Sequence, residues 1–254
     1  MVGGAVTREL FDKKGKRLDG RGLDELRPLT IKAAVLNKAE GSAYVEWGGN
    51  KILAAVYGPR ECIPRHDTDP YRTVLRCRYR MSPFASKEGH GRTGPNRRAT
   101  ELSKVIRETF ENVVLLEQFP KTQIEIFVEV LQADGGSRCA SVVAAAVALA
   151  DAGIPMKDMV SAVAVGMIKG KLALDLTGVE DNFGESDIPV AIASRNKEIL
   201  LFQMDGELTK EQVNEALQMA VKASDEIHAK QVAALMEVYE SRIAAQKGSN
   251  GNSD

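Results

Sequence analysis

The chain is short of the residues from which most catalytic motifs are built. Its 254 residues include three histidines and three cysteines. Cys62, Cys77 and Cys139 have no zinc-ligand spacing and form no even-numbered framework, which reads as reduced thiols in a cytoplasmic protein. No cysteine–histidine pairing marks a covalent nucleophile, and His66, alone in a polar loop, reads as an exposed side chain. No Gly-Lys-Ser/Thr follows any glycine pair, so a Walker phosphate loop is excluded. No apolar run is long enough to span a bilayer. Met1–Leu10 lacks the apolar stretch of a secretory leader, so neither a membrane protein nor an exported one is expected.

What is present is ordinary in bulk and uneven in distribution. Hydrophobic residues make up 44% and charged residues 27%, the balance of a globular domain, and the net charge is −1. That near-neutrality conceals a segregation. Between Pro59 and Arg107 there are 12 Lys/Arg against 5 Asp/Glu, a net of +7. From Asp175 to the end there are 7 against 15, a net of −8. A basic surface for an anionic polymer and a separate acidic element follow from such a split.

The stretch that organises the chain is Leu131-Gln132-Ala133-Asp134-Gly135-Gly136-Ser137-Arg138. Ile124 to Leu131 alternates as a strand does. Cys139 to Ala150 is nearly all alanine and valine and stops at Gly153 and Pro155, which marks a helix buried on every side. Between them, two glycines allow positive φ and close approach of the backbone to a ligand. The free N–H groups and dipole of the helix start suit an oxyanion, to which Ser137 adds a hydroxyl and Arg138 a guanidinium. By itself the turn is more simply a plain N-capped helix start. Arg138 tips the balance, because a cation in the first helical turn opposes the dipole and calls for an anion.

A first strand is expected at Leu29–Leu36 and a hairpin at Ser42–Tyr57 around Gly48-Gly49-Asn50. The segment from Lys16 to Pro28 reads as a polar surface arm. Thr73–Met81 alternates Leu75, Cys77, Tyr79 and Met81 with Arg76, Arg78 and Arg80, either a solvated face or a surface for RNA or protein. A basic loop over Ser82–Asn96 leads to an amphipathic helix that starts at Arg97-Arg98 and is closed by Pro120. Further strands follow at Val160–Ile168, Lys171–Leu176, Ile188–Ala193 and Ile199–Met204. A capping box, Thr209-Lys210-Glu211-Gln212, opens a last helix running to about Ala244. Residues 1–12 read as a flexible arm and 246–254 as a disordered tail around one domain over 13–245. The order of elements is α+β.

Asp175 to Asp187 holds five acids. Asp181 and Asp187, separated by a glycine-containing loop, are placed to face one site, to bind a hard divalent cation or move a proton. Taken alone, the loop is more simply a solvated acidic turn. Glu180, Glu185 and Asp187 are expected to raise the pKa of Asp181 by like-charge repulsion.

Taken together, the Leu131–Arg138 turn, the Arg98-Ala99-Thr100-Glu101 helix start, the Glu180-Asp181…Asp187 loop, Lys16–Arg21 with Glu25–Pro28, and Val56-Tyr57-Gly58-Pro59 resemble the RNase PH superfamily of phosphorolytic 3′→5′ exoribonucleases. The resemblance spans roughly residues 10 to 245. Paired Arg97-Arg98 and Arg78–Phe84 make it most similar to the catalytic ring subunits of the archaeal exosome rather than to free-standing RNase PH, an enzyme of tRNA 3′ ends. The resemblance implies an RNase PH-like fold of two similar βαβα halves packed together. It assigns the co-substrate, inorganic phosphate, to Gly136, Ser137, Arg138 and Arg98. Single-stranded RNA falls to Arg97 and Arg98, with Arg65 and Tyr71 in a channel loop. Catalysis, and a magnesium ion, fall to Asp181 and Asp187. The implied partners are an inactive paralogue completing a hexameric ring and RNA-binding cap subunits. A non-catalytic ring subunit would dispense with the acid pair, and a hydrolytic magnesium nuclease would need no phosphate cradle.

Overall fold

A computed structural model describes residues 10–11, 16–86 and 96–250, the last six as backbone alone. Most of the basic loop, residues 87–95, lies outside the described residues. Two sheets sandwich the central helix. The first holds β1 (Leu29–Ala33), β2 (Gly41–Trp47), β3 (Asn50–Glu61), β4 (Val74–Met81) and β5 (Thr122–Gln132) in the order β1-β2-β3-β5-β4. Neighbours are antiparallel except β4 and β5, which α1 (Arg97–Glu111) connects as a parallel pair. α2 (Ser137–Asp151) leaves β5 through the two-glycine turn.

The second half holds β6 (Val160–Ile168), β7 (Lys171–Leu174), α3 (Gly178–Phe183), β8 (Ser186–Ala193), β9 (Ile199–Phe202), β10 (Asp205–Gly206) and α4 (Lys210–Asn250). Its sheet runs β10-β8-β6-β7, with β9 also paired to β8. The α+β class and the paired halves therefore stand. The first half ends β4-α1-β5-α2, and the second follows the same order, β7-α3-β8-α4, with β9 and β10 inserted.

α2 explains why its sequence is so plain. It packs on β2 and β3 of one sheet and on β6 of the other, so small side chains are needed on all sides. Every residue from Cys139 to Leu149 is buried. A Cβ on Gly41 would lie 2.2 Å from the Ala148 carbonyl oxygen, so β2 and α2 touch through backbone there. α4 buries Ala216, Ala220, Ala223, Ile227 and Gln231 at helical spacing and leaves the other face to solvent.

Four local readings change. The helix after Arg97 ends at Glu111, well before Pro120. Val113 and Val114 both donate their N–H to the Phe110 carbonyl, and Val114 then bridges Met156. The last helix runs on to Asn250, past the point where the tail was expected to begin. Leu10, inside the expected arm, is 3% exposed and packs with Ile168, Ala173 and Leu176. The segment from Lys16 to Pro28 is no surface arm, because Arg17, Arg21 and Arg27 are buried. Polar composition is a poor guide when each cation meets a carboxylate or a carbonyl inside. Among the described residues no helix is long and apolar enough to cross a membrane.

Candidate active site

The cradle is built where β5 meets α2. Gly135 and Gly136 take φ of +68° and +64°, a left-handed pair that only glycine adopts without strain. A Cβ at Gly135 would fall 2.5 Å from the Thr177 carbonyl carbon, so the turn is pressed against the lead-in to α3. Gly136 is the N-cap residue of α2 and makes no side-chain cap, which leaves the first N–H groups of the helix for a ligand. Ser137 is 5% exposed, with its Oγ 3.4 Å from the Tyr79 hydroxyl. Arg138 reaches outward and donates from Nη1 to Gln203 Oε1 at 2.5 Å. Its Nε is buried without a partner.

The acids are held by an unexpected element. Gly178–Phe183 is a helical turn rather than a loop, opened by a capping box in which Thr177 Oγ1 accepts from the Glu180 N–H and Glu180 accepts from the Thr177 N–H. Glu180 faces inward and takes Nε and Nη2 of Arg17 at 2.8 and 2.5 Å. Burial pushes the Glu180 carboxyl up, but the hydrogen bonds from Arg17 and Thr177 outweigh it and hold its pKa below the usual range. Asp181, next in sequence and about 100° further round the helical turn, is exposed and lines the cleft. Asp187 sits on β8 and pairs across the ladder with Asp205 on β10.

These groups line one cleft of about 620 Å³. Its walls include Arg98, Arg138, Asp181, Asp187, Gln203 and Asp205. The Asp187 pKa is pushed up to about 7, first by burial and then by the neighbouring Asp181 charge, with Arg138 opposing. Asp187 Oδ1 is buried with no hydrogen-bond partner. Burial also raises the Asp181 pKa, while Arg98 and Arg138 pull it back and Asp205 adds to the rise. The expected causes change in part: burial leads, Asp205 adds to the repulsion, the repulsion between Asp181 and Asp187 is present, and Glu180 is paired with Arg17 instead. Asp181 is more open to solvent than Asp187, so its desolvation is partial. Burial pushes the Cys77 thiol up to about 12, and Cys139 higher still, so neither is a nucleophile near neutrality.

Of the residues singled out from sequence, Arg98, Arg138, Asp181 and Asp187 meet in the cleft; Gly136 and Ser137 do not line it and adjoin it only through their chain neighbour Arg138. Arg97 is exposed beside Arg98 at the start of α1 and does not line the cleft. Arg65 and Tyr71 are not there either. Both precede β4, whose far end, Met81, pairs with Val130 near the cradle. At about 3.3 Å per residue, the start of that strand lies roughly 23 Å from Met81. Arg65 pairs with Glu61 at 2.8 Å, and Tyr71 is 84% exposed. Gln203 and Asp205 went unnoticed in the sequence. They carry no local motif and reach the cleft only because the β8–β9–β10 meander folds back over it.

The fold and this cleft define the class. Residues 25–155 match the 3′ exoribonuclease family, domain 1, and residues 158–223 match its domain 2. The chain belongs to this family, the RNase PH family, and its activity is that of a phosphorolytic 3′→5′ exoribonuclease. It is 52% identical over 248 residues to the exosome complex component Rrp41 of Thermococcus onnurineus, covering 98% of this chain and 99% of that one. It is 53% identical over 231 residues to the Rrp41 of Pyrococcus furiosus, covering 91% and 92%. Among solved structures it resembles rice Rrp46 in fold, with a TM-score of 0.78 at 24% identity over 87% of this chain and all of that one. It also resembles a chain of an Archaeoglobus fulgidus exosome with RNA bound to the active site. There the TM-score is 0.74 at 26% identity, covering 85% of this chain and 93% of that one.

Proposed function

We propose that this chain is the catalytic ring subunit of an archaeal-type exosome and shortens single-stranded RNA from its 3′ end in the cleft between Arg138 and Asp181. Relatives sharing about half its residues over nearly its full length are named exosome components. The observation that carries the chemistry is the pairing of opposite charges: Arg98 and Arg138 face Asp181, Asp187 and Asp205 beside the N-terminus of α2.

Inorganic phosphate is held by the Gly136 and Ser137 backbone, the Ser137 hydroxyl and the guanidiniums of Arg98 and Arg138. The unpartnered Nε of Arg138 is the donor left over for it. A phosphate oxygen attacks the terminal phosphorus and the bond from phosphorus to the ribose 3′ oxygen breaks. The nucleoside diphosphate leaves, and the 3′ oxygen takes up a proton. Asp181 is the donor of that proton: it lines the cleft opposite Arg138, and burial raises its pKa toward that of a general acid. The phosphodiester broken and the diphosphate formed are similar in energy, so excess diphosphate drives 3′ extension.

Asp181 and Asp187 are also the residues that would hold a magnesium ion. The orphaned Asp187 Oδ1 fits that role. Among the described residues no three acidic, histidine or cysteine side chains form a cage. Two carboxylates completed by water and substrate oxygens are the usual set for this ion. Bound there, it would stabilise charge on the departing oxygen. Arg97, outside the cleft, contacts RNA phosphates upstream, and Arg65 and Tyr71 belong to a more distant stretch of the RNA path. An inactive paralogue completes a hexameric ring, with RNA-binding caps on one face, in the cytoplasm.

The decisive test is an RNA digest with and without phosphate. Nucleoside diphosphates released from the 3′ end only when phosphate is supplied are the expected products. Monophosphates formed in phosphate-free buffer would overturn the reading and favour a hydrolytic nuclease.

A further inference from the structure

We propose that Arg27 and Asn50 are positioning residues of the phosphate cradle, which clamp the carbonyl oxygens of Asp134 and Gly135 and so aim the Gly136 N–H into the site. The inference rests on the reading that the cleft binds inorganic phosphate.

A trans peptide unit is planar, and its C=O and N–H point in opposite directions. Whatever holds the Gly135 carbonyl therefore sets the direction of the Gly136 N–H. Two groups hold it: Asn50 Nδ2 donates to Gly135 O at 2.6 Å and Arg27 Nη2 at 3.2 Å. The preceding unit is held as well. Arg27 Nη1 donates to Asp134 O at 2.5 Å, and the Asp134 N–H donates to Asn50 Oδ1 at 2.7 Å. Neither Arg27 nor Asn50 lines the cleft, and both grip the turn by its carbonyl oxygens.

The clamp matters because of what it grips. Two consecutive glycines are the least restrained pair a turn can have. Left to itself, this turn would spread over many conformers, and a phosphate would have to order it on binding. Donors already aimed avoid that cost, which is how preorganised oxyanion sites gain their strength.

The clamp itself is rigid. Asn50 is 0% exposed at the β2–β3 hairpin, its backbone paired in register with Trp47. Arg27 is fixed by Asp175, whose Oδ1 takes Nη2 at 2.7 Å and whose Oδ2 takes Nε at 3.0 Å. Asp175 Oδ2 also accepts from Trp47 Nε1 at 2.9 Å. The cradle of the first half is thereby tied to the start of the acidic segment in the second.

The test uses Asn50→Asp and Asn50→Ser in the full-length chain assembled with its ring partner. Asn50→Asp keeps the acceptor for the Asp134 N–H but sets a carboxylate oxygen against the Gly135 carbonyl. Asn50→Ser is too short to reach that carbonyl and serves if the aspartate variant does not fold. Each is assayed for its KM for inorganic phosphate at saturating RNA, and for RNA binding without phosphate. The expected result is a rise of about tenfold or more in phosphate KM, the worth of one well-placed hydrogen bond to a charged group, with RNA affinity unchanged. A merely structural role would lower the active fraction and leave KM alone. Phosphate KM within about twofold of the parent in a folded variant overturns the inference. Absence of any phosphate dependence in the parent would instead overturn the functional reading beneath it.

Discussion

Replacing Asp187 by asparagine should stabilise the protein above neutral pH while disabling it. In the folded chain the Asp187 carboxyl titrates near pH 7, pushed up to about 7 by burial, and an exposed aspartate titrates near 3.9. Between those values the folded state holds a proton that the unfolded state has lost. Stability therefore falls as pH rises through this window and levels off above it. The gap between the two values sets a ceiling of about 4 kcal/mol on the loss. Water in the cleft and relaxation of Asp181 and Asp205 reduce it, so about 2 kcal/mol, or roughly 5 °C in Tm for a chain of this size, is the working expectation. Asp187→Asn carries no such penalty. Its Tm should match the parent near pH 4 and exceed it at pH 8. The assay is thermal unfolding by circular dichroism from pH 4 to 8, at constant ionic strength in chelator. Magnesium should then raise the Tm of the parent at pH 8 more than that of the variant, because the ion supplies the missing counter-charge. Parallel curves for the two proteins would refute the reasoning and place Asp187 in contact with bulk water.

Three further outcomes follow from the same geometry. Asp181→Asn removes the proton donor and should cost about 10²-fold or more in turnover, with RNA affinity held or slightly raised, as single-turnover rates and binding isotherms will show. Near-normal turnover in that variant, with Asp187→Asn inactive, would exchange the two roles. Arg97→Ala should weaken RNA binding and reduce the slope of log K against log salt by about 0.7, one single-strand phosphate contact; an unchanged slope removes Arg97 from the RNA path. Gly41→Ala should destabilise the chain by about 1–3 kcal/mol in chemical denaturation, because a methyl group must force β2 from α2. A neutral result would mean that the two elements move apart freely.

Local chemistry decided much of this protein before any folding was known. The strand–turn–helix at Leu131–Ala150, the buried all-round nature of the helix, the capping box at Thr209 and the hairpin at Gly48-Gly49 each depend on residues a few positions apart. Periodicity and turn preferences read such features directly. The motif set also identified the family and placed Arg98, Arg138, Asp181 and Asp187 in one site, even though the acidic segment folds as a helical turn rather than a loop.

Only the tertiary structure decided which charges are spent inside and which face the substrate. Arg17 and Glu180 are 163 residues apart and look like surface residues, yet they form a buried pair that turns Asp181 outward. Arg27 and Asn50 clamp a turn that lies 84 to 108 positions further along the chain. Asp205 meets Asp187 through two residues of ladder pairing. None of these partnerships leaves a periodic trace, because each is made by contact between separate elements. A charge whose partner is distant in sequence is indistinguishable from a solvated one until the chain is folded.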